Sequence, residues 1–387
     1  MRELGIIVNA GVLCAGGKIA WVGPMSDWNQ PLPEGFPEID AGGKTVLPGF
    51  VDSHTHMMFA GNRAHEFVLR SQGATYQQIA SAGGGILSTI RDVRTASKRD
   101  LKRQTTRYLG QMMVQGTTTV EMKSGYGLDM SSEIKMVEAI HELEREEMMT
   151  VVPTFMGAHA VPPEYSLNKP AYVDLIVDEM IPYMGRKKLA VFCDVFCEAG
   201  YFGLDDSERI LTSGKTAGLL PKIHAEELSP LGGAQLAGKV GAISADHLEH
   251  VSDEGIAALR ESGVVATVLP GVSFFLNHQY APARKLIDNG VAVAIASDFN
   301  PGSCMSFSLP MMMTIACTHM QMSPAEALTA ITLNGAAALN MSSSVGSIEV
   351  GKNADLVIAD VSDYAFLSYH FGANHIVTTI KNGTILE

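Results

Sequence analysis

Between residues 46 and 297 short β-forming segments recur with helix-like stretches between most of them. The candidate strands are 46–56, 117–123, 151–158, 193–198, 222–225, 242–248, 264–269 and 291–297. Helices are expected at 132–147 and 252–262, among others. The latter opens with Ser252 and Asp253 and stops at Gly263, a start signal and a stop signal. Eight β/α repeats in roughly 250 residues are what a (β/α)8 TIM-like barrel requires. An open doubly wound sheet is the alternative. No Gly-x-Gly-x-x-Gly follows the first strand and no Gly-x4-Gly-Lys-Ser/Thr is present, so the usual phosphate-cradling loops are missing.

The two ends of the chain differ from its middle. Both read as short strands and turns, such as Ala41-Gly42-Gly43-Lys44 and Gly351-Lys352-Asn353. The expected organisation is a small β-sandwich domain built from 1–45 and 346–387 around a barrel over 46–345. The net charge of −13 opposes binding to nucleic acid or an anionic membrane. An anionic small substrate would then need cations supplied by the pocket itself. The first residues lack a signal-peptide pattern and no apolar run reaches the ~20 residues that cross a bilayer, so the cytoplasm is the expected compartment.

In a barrel of this type chemistry sits where strands end. The first candidate strand ends in His54-Thr55-His56, two histidines on one strand face. Others end in Lys123-Ser124-Gly125-Tyr126, Gly157-Ala158-His159, His224-Ala225-Glu226-Glu227, Asp246-His247 and Ser297-Asp298-Phe299-Asn300. The fourth and seventh strands read as quiet. Three histidines and a carboxylate form a plausible shell for Zn2+ or iron with one position open for water. An ion there would acidify that water and supply hydroxide near neutral pH. Arg63, shortly after the first strand, could grip a carboxylate.

The run Pro48-Gly49…Asp52-x-His54-x-His56, with His224, His247 and Asp298, resembles the amidohydrolase superfamily. Lys123-Ser124-Gly125-Tyr126-Gly127-Leu128, Gly73-Ala74-Thr75-Tyr76, Ala82-Gly83-Gly84-Gly85-Ile86, Gly157-Ala158-His159, Ala245-Asp246-His247-Leu248 and Ser297-Asp298-Phe299-Asn300-Pro301 narrow the resemblance to the imidazolonepropionase family of histidine degradation. That resemblance implies one Zn2+ or Fe2+/Fe3+ per subunit, held by His54, His56, His224 and Asp298. It implies substrate contacts from Arg63, Tyr76, Tyr126, His159 and Glu227, and a product-binding loop at Asn300, Gly302 and Ser303. His247, Glu227 and Asp298 are the implied catalytic groups. The implied reaction opens the ring of 4-imidazolone-5-propanoate to N-formimidoyl-L-glutamate, by attack of metal-bound hydroxide on the ring carbonyl. A homodimer is implied as well. Family members carry a longer N-terminus, so the small β domain is expected to lack one or more strands. The competing functions are another amidohydrolase, such as a deaminase or a different cyclic-amide hydrolase, and a silent metal-binding barrel.

Overall fold

The segment expected as one strand over 46–56 is two strands in the computed structural model, β3 (Thr45–Pro48) and β4 (Phe50–Asp52). The structure describes residues 1–32, 34–74, 78 and 83–386. Pro48 has no N–H to offer a ladder. A Cβ on Gly49 would collide with the Thr118 side chain, so the chain passes there only without one. The two halves therefore enter different sheets.

β4 opens an eight-stranded parallel sheet that continues in order through β5 (Thr117–Lys123), β6 (Thr150–Ala158), β7 (Phe192–Cys197), β8 (Leu220–Ala225), β9 (Ser244–His247), β10 (Val265–Val268) and β11 (Val293–Ile295). Its first and last strands meet beyond their ends. Thr55 bridges Phe299, the His56 N–H donates to the Phe299 carbonyl at 3.0 Å, and the Asp298 N–H donates to the His54 carbonyl at 3.0 Å. The Asp52 carboxylate accepts from the Ser297 N–H at 3.0 Å and from its hydroxyl at 2.6 Å. These contacts close the sheet into a (β/α)8 barrel.

β3 turns the other way, into an antiparallel sheet with β12 (Leu356–Ala359), β13 (Ile376–Lys381) and β14 (Thr384–Leu386). A separate hairpin, β1 (Ala10–Ala15) with β2 (Lys18–Pro24), packs Ile19, Val12 and Val22 against Leu356 and Ile380 of that sheet.

Burial explains the barrel's sequence pattern. Along β5, Val120 and Met122 join an apolar cluster with Leu109 of the helix Lys98–Val114 and Met136 and Ile140 of the helix Met130–Glu146. Side chains alternate across a strand, so Glu121 and Lys123 point to the barrel interior, where both are fully buried. The helix Asp253–Ser262 starts at an Ser252 cap and ends at Gly263 in the left-handed conformation, as its sequence signals require. Among the described residues no helix is long and apolar enough to cross a membrane.

Candidate active site

His54 and His56 lie just beyond the end of β4 rather than on it, a correction to the strand expected over 46–56. The closure bonds to Asp298 and Phe299 hold this segment extended in place of a sheet neighbour. Both side chains are buried and converge with those of His224, at the end of β8, and Asp298, just past β11. His56 Nε2 is 3.2 Å from His224 Nε2. Asp298 Oδ1 is 3.4 Å from His54 Nε2 and 3.5 Å from His56 Nε2.

Carboxylates behind two of these rings fix which nitrogen faces inward. His54 Nδ1 is 2.6 Å from Asp246 Oδ2, and His224 Nδ1 is 3.1 Å from Asp194 Oδ1. A carboxylate accepts, so each Nδ1 carries the proton and each Nε2 presents a lone pair. Burial, and then the Lys123 charge and neighbouring histidines, hold His54 well below the usual imidazole range. Burial, followed by His159 and His224, does the same to His56. Neutral imidazoles are the ligand form.

The donor set fits a metal ion. His54 Nε2 and Asp298 Oδ1 are buried and have no hydrogen-bond partner among the described residues. A tetrahedral ion with bonds of roughly 2.0–2.1 Å sets its ligands ~3.3 Å apart, and the separations here are 3.2, 3.4 and 3.5 Å. The second oxygen of Asp298 is occupied instead: Asn300 Nδ2 donates to Oδ2 at 2.9 Å and the Ser303 hydroxyl at 3.3 Å. Asn300 also accepts from the Gly302 and Ser303 N–H groups at 2.7 and 2.8 Å. The Asn300–Ser303 turn thus aims Asp298 Oδ1 into the site.

His247 closes another side of the cavity. Its ligand-competent nitrogen lies within 4.8 Å of those of His54 and His224. Its Nε2 is 3.6 Å from Glu227 Oε2 and its Nδ1 is 3.8 Å from Glu249 Oε2. Burial pushes the Glu227 carboxyl up to about 7, with His224 opposing and Glu198 adding to the rise. The backbone is strained where these groups leave their strands: φ is +58° at Glu226, +80° at His247, +72° at Leu248 and +49° at Asp298. Positive φ in non-glycine residues persists only where the surroundings over-determine it, and it clusters at functional sites.

On the opposite wall His159 stacks on His56 with ring centres 4.7 Å apart, and its Nδ1 donates to the Gly125 carbonyl at 3.0 Å. Burial, then the His224 ring, takes His159 down to about 3. Tyr126 is buried 5.2 Å from His159 and 6.0 Å from His56. Burial and the nearby Asp298 charge keep its hydroxyl protonated. Arg63 does not lie free in solvent. Its Nε and Nη2 donate to Glu66 Oε2 at 2.9 and 2.8 Å, while its Nη1 faces Gly302, where a Cβ would collide with it. Glu66 is itself buried, with its other oxygen accepting from the Gly85 N–H at 2.9 Å. Tyr76 lies outside the described residues.

The fourth strand is not quiet. β7 contributes Asp194, the partner of His224, and the chain just past it contributes Glu198, which accepts from the Leu228 N–H at 2.9 Å and so ties down the segment carrying Glu227. Asp194, Glu121 and Lys222 are buried charged groups beneath the site that strand-end reading overlooks. A signal exists: each is a charged residue inside a short strand whose residues are otherwise mostly apolar or small.

Comparison with known proteins agrees with this geometry. Residues 204–386 and 37–85 match models described as Amidohydrolase family. The chain is 50% identical over 389 residues to an imidazolonepropionase of Geobacillus sp. (strain WCH70), covering 100% of this chain and 92% of that protein. It is 48% identical over 388 residues to the imidazolonepropionase of Bacteroides fragilis (strain YCH46), covering 100% and 93%. Solved structures of similar fold include the E. coli guanine deaminase, with a TM-score of 0.76 at 17% identity over 98% of this chain and 92% of that one. The Klebsiella pneumoniae 5-methylcytosine deaminase liganded with 5-fluorocytosine has a TM-score of 0.74 at 15% identity over 97% and 93%. At such identities the deaminases speak for the barrel fold alone. Full-length identity near one half, with a buried histidine–aspartate cluster at the barrel mouth, places this chain in the imidazolonepropionase family of amidohydrolases.

Proposed function

We propose that this enzyme opens the ring of 4-imidazolone-5-propanoate by hydrolysis, yielding N-formimidoyl-L-glutamate, with one Zn2+ or iron ion held by His54, His56, His224 and Asp298. The observation that carries the reading is the set of inward-facing donors, two of them locked as Nδ1–H tautomers by Asp246 and Asp194. When bound, the ion supplies Lewis acidity and lowers the pKa of a water toward ~7.

The remaining work belongs to the chain. Arg63, Tyr126 and His159 hold the propanoate, and Gly302 and Ser303 shape the wall that faces it. This remote anchoring sets the ring carbonyl against the water. His247 orients that water and takes its proton, in concert with Asp298. Burial raises Glu227 to about 7, so a protonated fraction is present near neutrality, and this form passes its proton to the ring nitrogen as the C–N bond breaks. The carbonyl carbon becomes a carboxylate, and both it and the released nitrogen stay in the single ring-opened product.

The same reading makes the enzyme a cytoplasmic homodimer that meets a small anion and neither nucleic acid nor membrane, in line with its net charge of −13. The deciding experiment follows imidazolone absorbance together with product identity. Loss of the imidazolone with formimidoylglutamate appearing is expected. Release of ammonia from a heterocyclic amine, with no action on the imidazolone, would replace this reading with that of a deaminase.

A further inference from the structure

Lys123 opens the string that most narrows the family resemblance, yet the reaction above gives it no task. It lies fully buried beneath the site. Its ammonium contacts Asp194 Oδ2 at 2.7 Å, Glu121 at 2.8 Å and Asp246 Oδ2 at 3.9 Å. Lys222, equally buried, reaches Glu121 Oε1 at 3.3 Å, Asp246 Oδ2 at 3.6 Å and the Ser53 carbonyl at 2.8 Å. Glu121 Oε1 also accepts from the Thr154 hydroxyl at 2.6 Å. Two ammonium groups and three carboxylates thus share one fully buried pocket, and buried charges persist only when paired.

The connections out of this pocket are specific. Asp194 gives one oxygen to Lys123 and the other to His224, with the Val195 N–H also on that second oxygen at 2.7 Å. Asp246 gives the same oxygen to His54 that the lysines approach. Among the described residues Lys123 supplies the one ammonium within 4.0 Å of Asp194, whereas Asp246 has both lysines. Lys123 thus pins one oxygen of Asp194, and without it the carboxylate is free to turn its other oxygen away from His224 Nδ1. A carboxylate turned away no longer accepts from His224 Nδ1–H, so nothing fixes the tautomer of that ring. The ring could then carry its proton on Nε2, the atom that faces the metal site.

We infer that Lys123 is a positioning residue for metal capture, acting through Asp194 to keep His224 in the Nδ1–H tautomer that offers Nε2 to the ion. The inference rests on the metal site proposed above. Its consequence is asymmetric: His224 depends on Lys123, while His54 keeps Lys222 behind Asp246.

The test uses the full chain with Lys123→Met, stripped of metal and titrated with Zn2+ against a competing chelator. Partner loss behind a metal-binding histidine costs roughly 10–100-fold in affinity, and that loss is expected here. A changed visible spectrum of the Co2+-loaded variant should accompany it. Histidine 15N shifts in the metal-free variant should show His224 leaving the Nδ1–H form while His54 keeps it. Zinc affinity and a cobalt spectrum equal to those of the unaltered enzyme would overturn the inference, whatever the variant's melting temperature. If Lys123→Met does not fold, Lys123→Gln is taken through the same zinc titration and 15N measurement: weakened zinc binding with His224 leaving the Nδ1–H form supports the inference, and unchanged values overturn it. Failure of the unaltered enzyme to bind Zn2+ or iron at all would instead remove the underlying metal site.

Discussion

His54 and Asp246 stand 192 positions apart in the chain and 2.6 Å apart in the fold, with the histidine donating from Nδ1. The bond joins the segment just past the first barrel strand to the sixth strand, and among the described residues His54 Nε2 has no hydrogen-bond partner. A buried lone pair with nothing to accept costs free energy unless something fills the place.

Replacing His224 with alanine should therefore remove metal retention and turnover together. Ligand loss is expected to exceed the ~100-fold penalty seen at the upper end for outer partners. Metal content per subunit after dialysis and imidazolone turnover are the paired readouts. A variant that keeps its metal and its rate would exclude His224 as a ligand.

Arg63→Met should weaken substrate capture while metal content persists. A charge-assisted hydrogen bond is worth roughly 1.5–3 kcal/mol, about 10- to 150-fold in kcat/KM. The substitution also strips Glu66 of its cation, so Arg63→Met/Glu66→Gln is the cleaner comparison. Gly302→Ala should give the same kinetic defect, because the new Cβ would displace the Arg63 guanidinium. If both variants capture substrate normally, neither residue serves the propanoate.

Glu227 should write the alkaline limb of the pH profile. Burial raises it to about 7, and a divalent ion nearby draws it down from there. As a proton donor it works in its protonated form, so kcat/KM should fall as pH rises through a value at or below about 7. In Glu227→Gln the residual activity should be lower by ~100-fold or more, in the range typical of general acids, and should lack that limb. A limb that persists unchanged in the variant would assign it to another group.

Stability should carry a different acid signature, from Glu326. This carboxylate is buried, accepts from Arg284 Nη1 at 2.9 Å and Arg2 Nε at 2.9 Å, and completes a capping box with Ser323. Although burial alone would raise it, the Arg284 bonds and those from Ser323 and Arg2 bring it down to about 2. A folded-state value below the unfolded one means stability that is present above pH ~4.5 and lost as pH falls through about 2. Glu326→Gln should thus be less stable than the parent at pH 7 by about 2–3 kcal/mol. Urea titrations across pH 2–7 should show that gap narrowing below pH ~4.5.

Much of this was legible in the residues. The eight β/α repeats, the polar strand ends and the caps at Ser252 and Gly263 announce the barrel through local chemistry, which is what a sequence displays. The division of 46–56 at Gly49 was not legible, because it depends on the Thr118 side chain and on β12 pairing with β3. Asp194 escaped for a related reason. A charged residue in mid-strand says that something pairs with it, but Lys123 and His224 come from other strands and only the closed barrel reveals them. Arg63 announced itself as a loop cation, while nothing in the sequence singled out its buried counter-ion Glu66, in the first turn of the helix that Arg63 caps.

The split at Gly49 has a bearing on how the molecule is made. β3 runs directly into β4 and then to His54 and His56, but its ladder partner β12 follows only after all eight barrel strands. During translation the strand that leads into the histidines waits for most of the polypeptide to emerge. Pairing that joins such distant segments is slow, because loop closure must precede any reward. The nascent protein therefore carries His54 and His56 long before the fold that aims them is complete, and a chain stalled on the ribosome before β12 should offer them to metal as loose side chains rather than as a site.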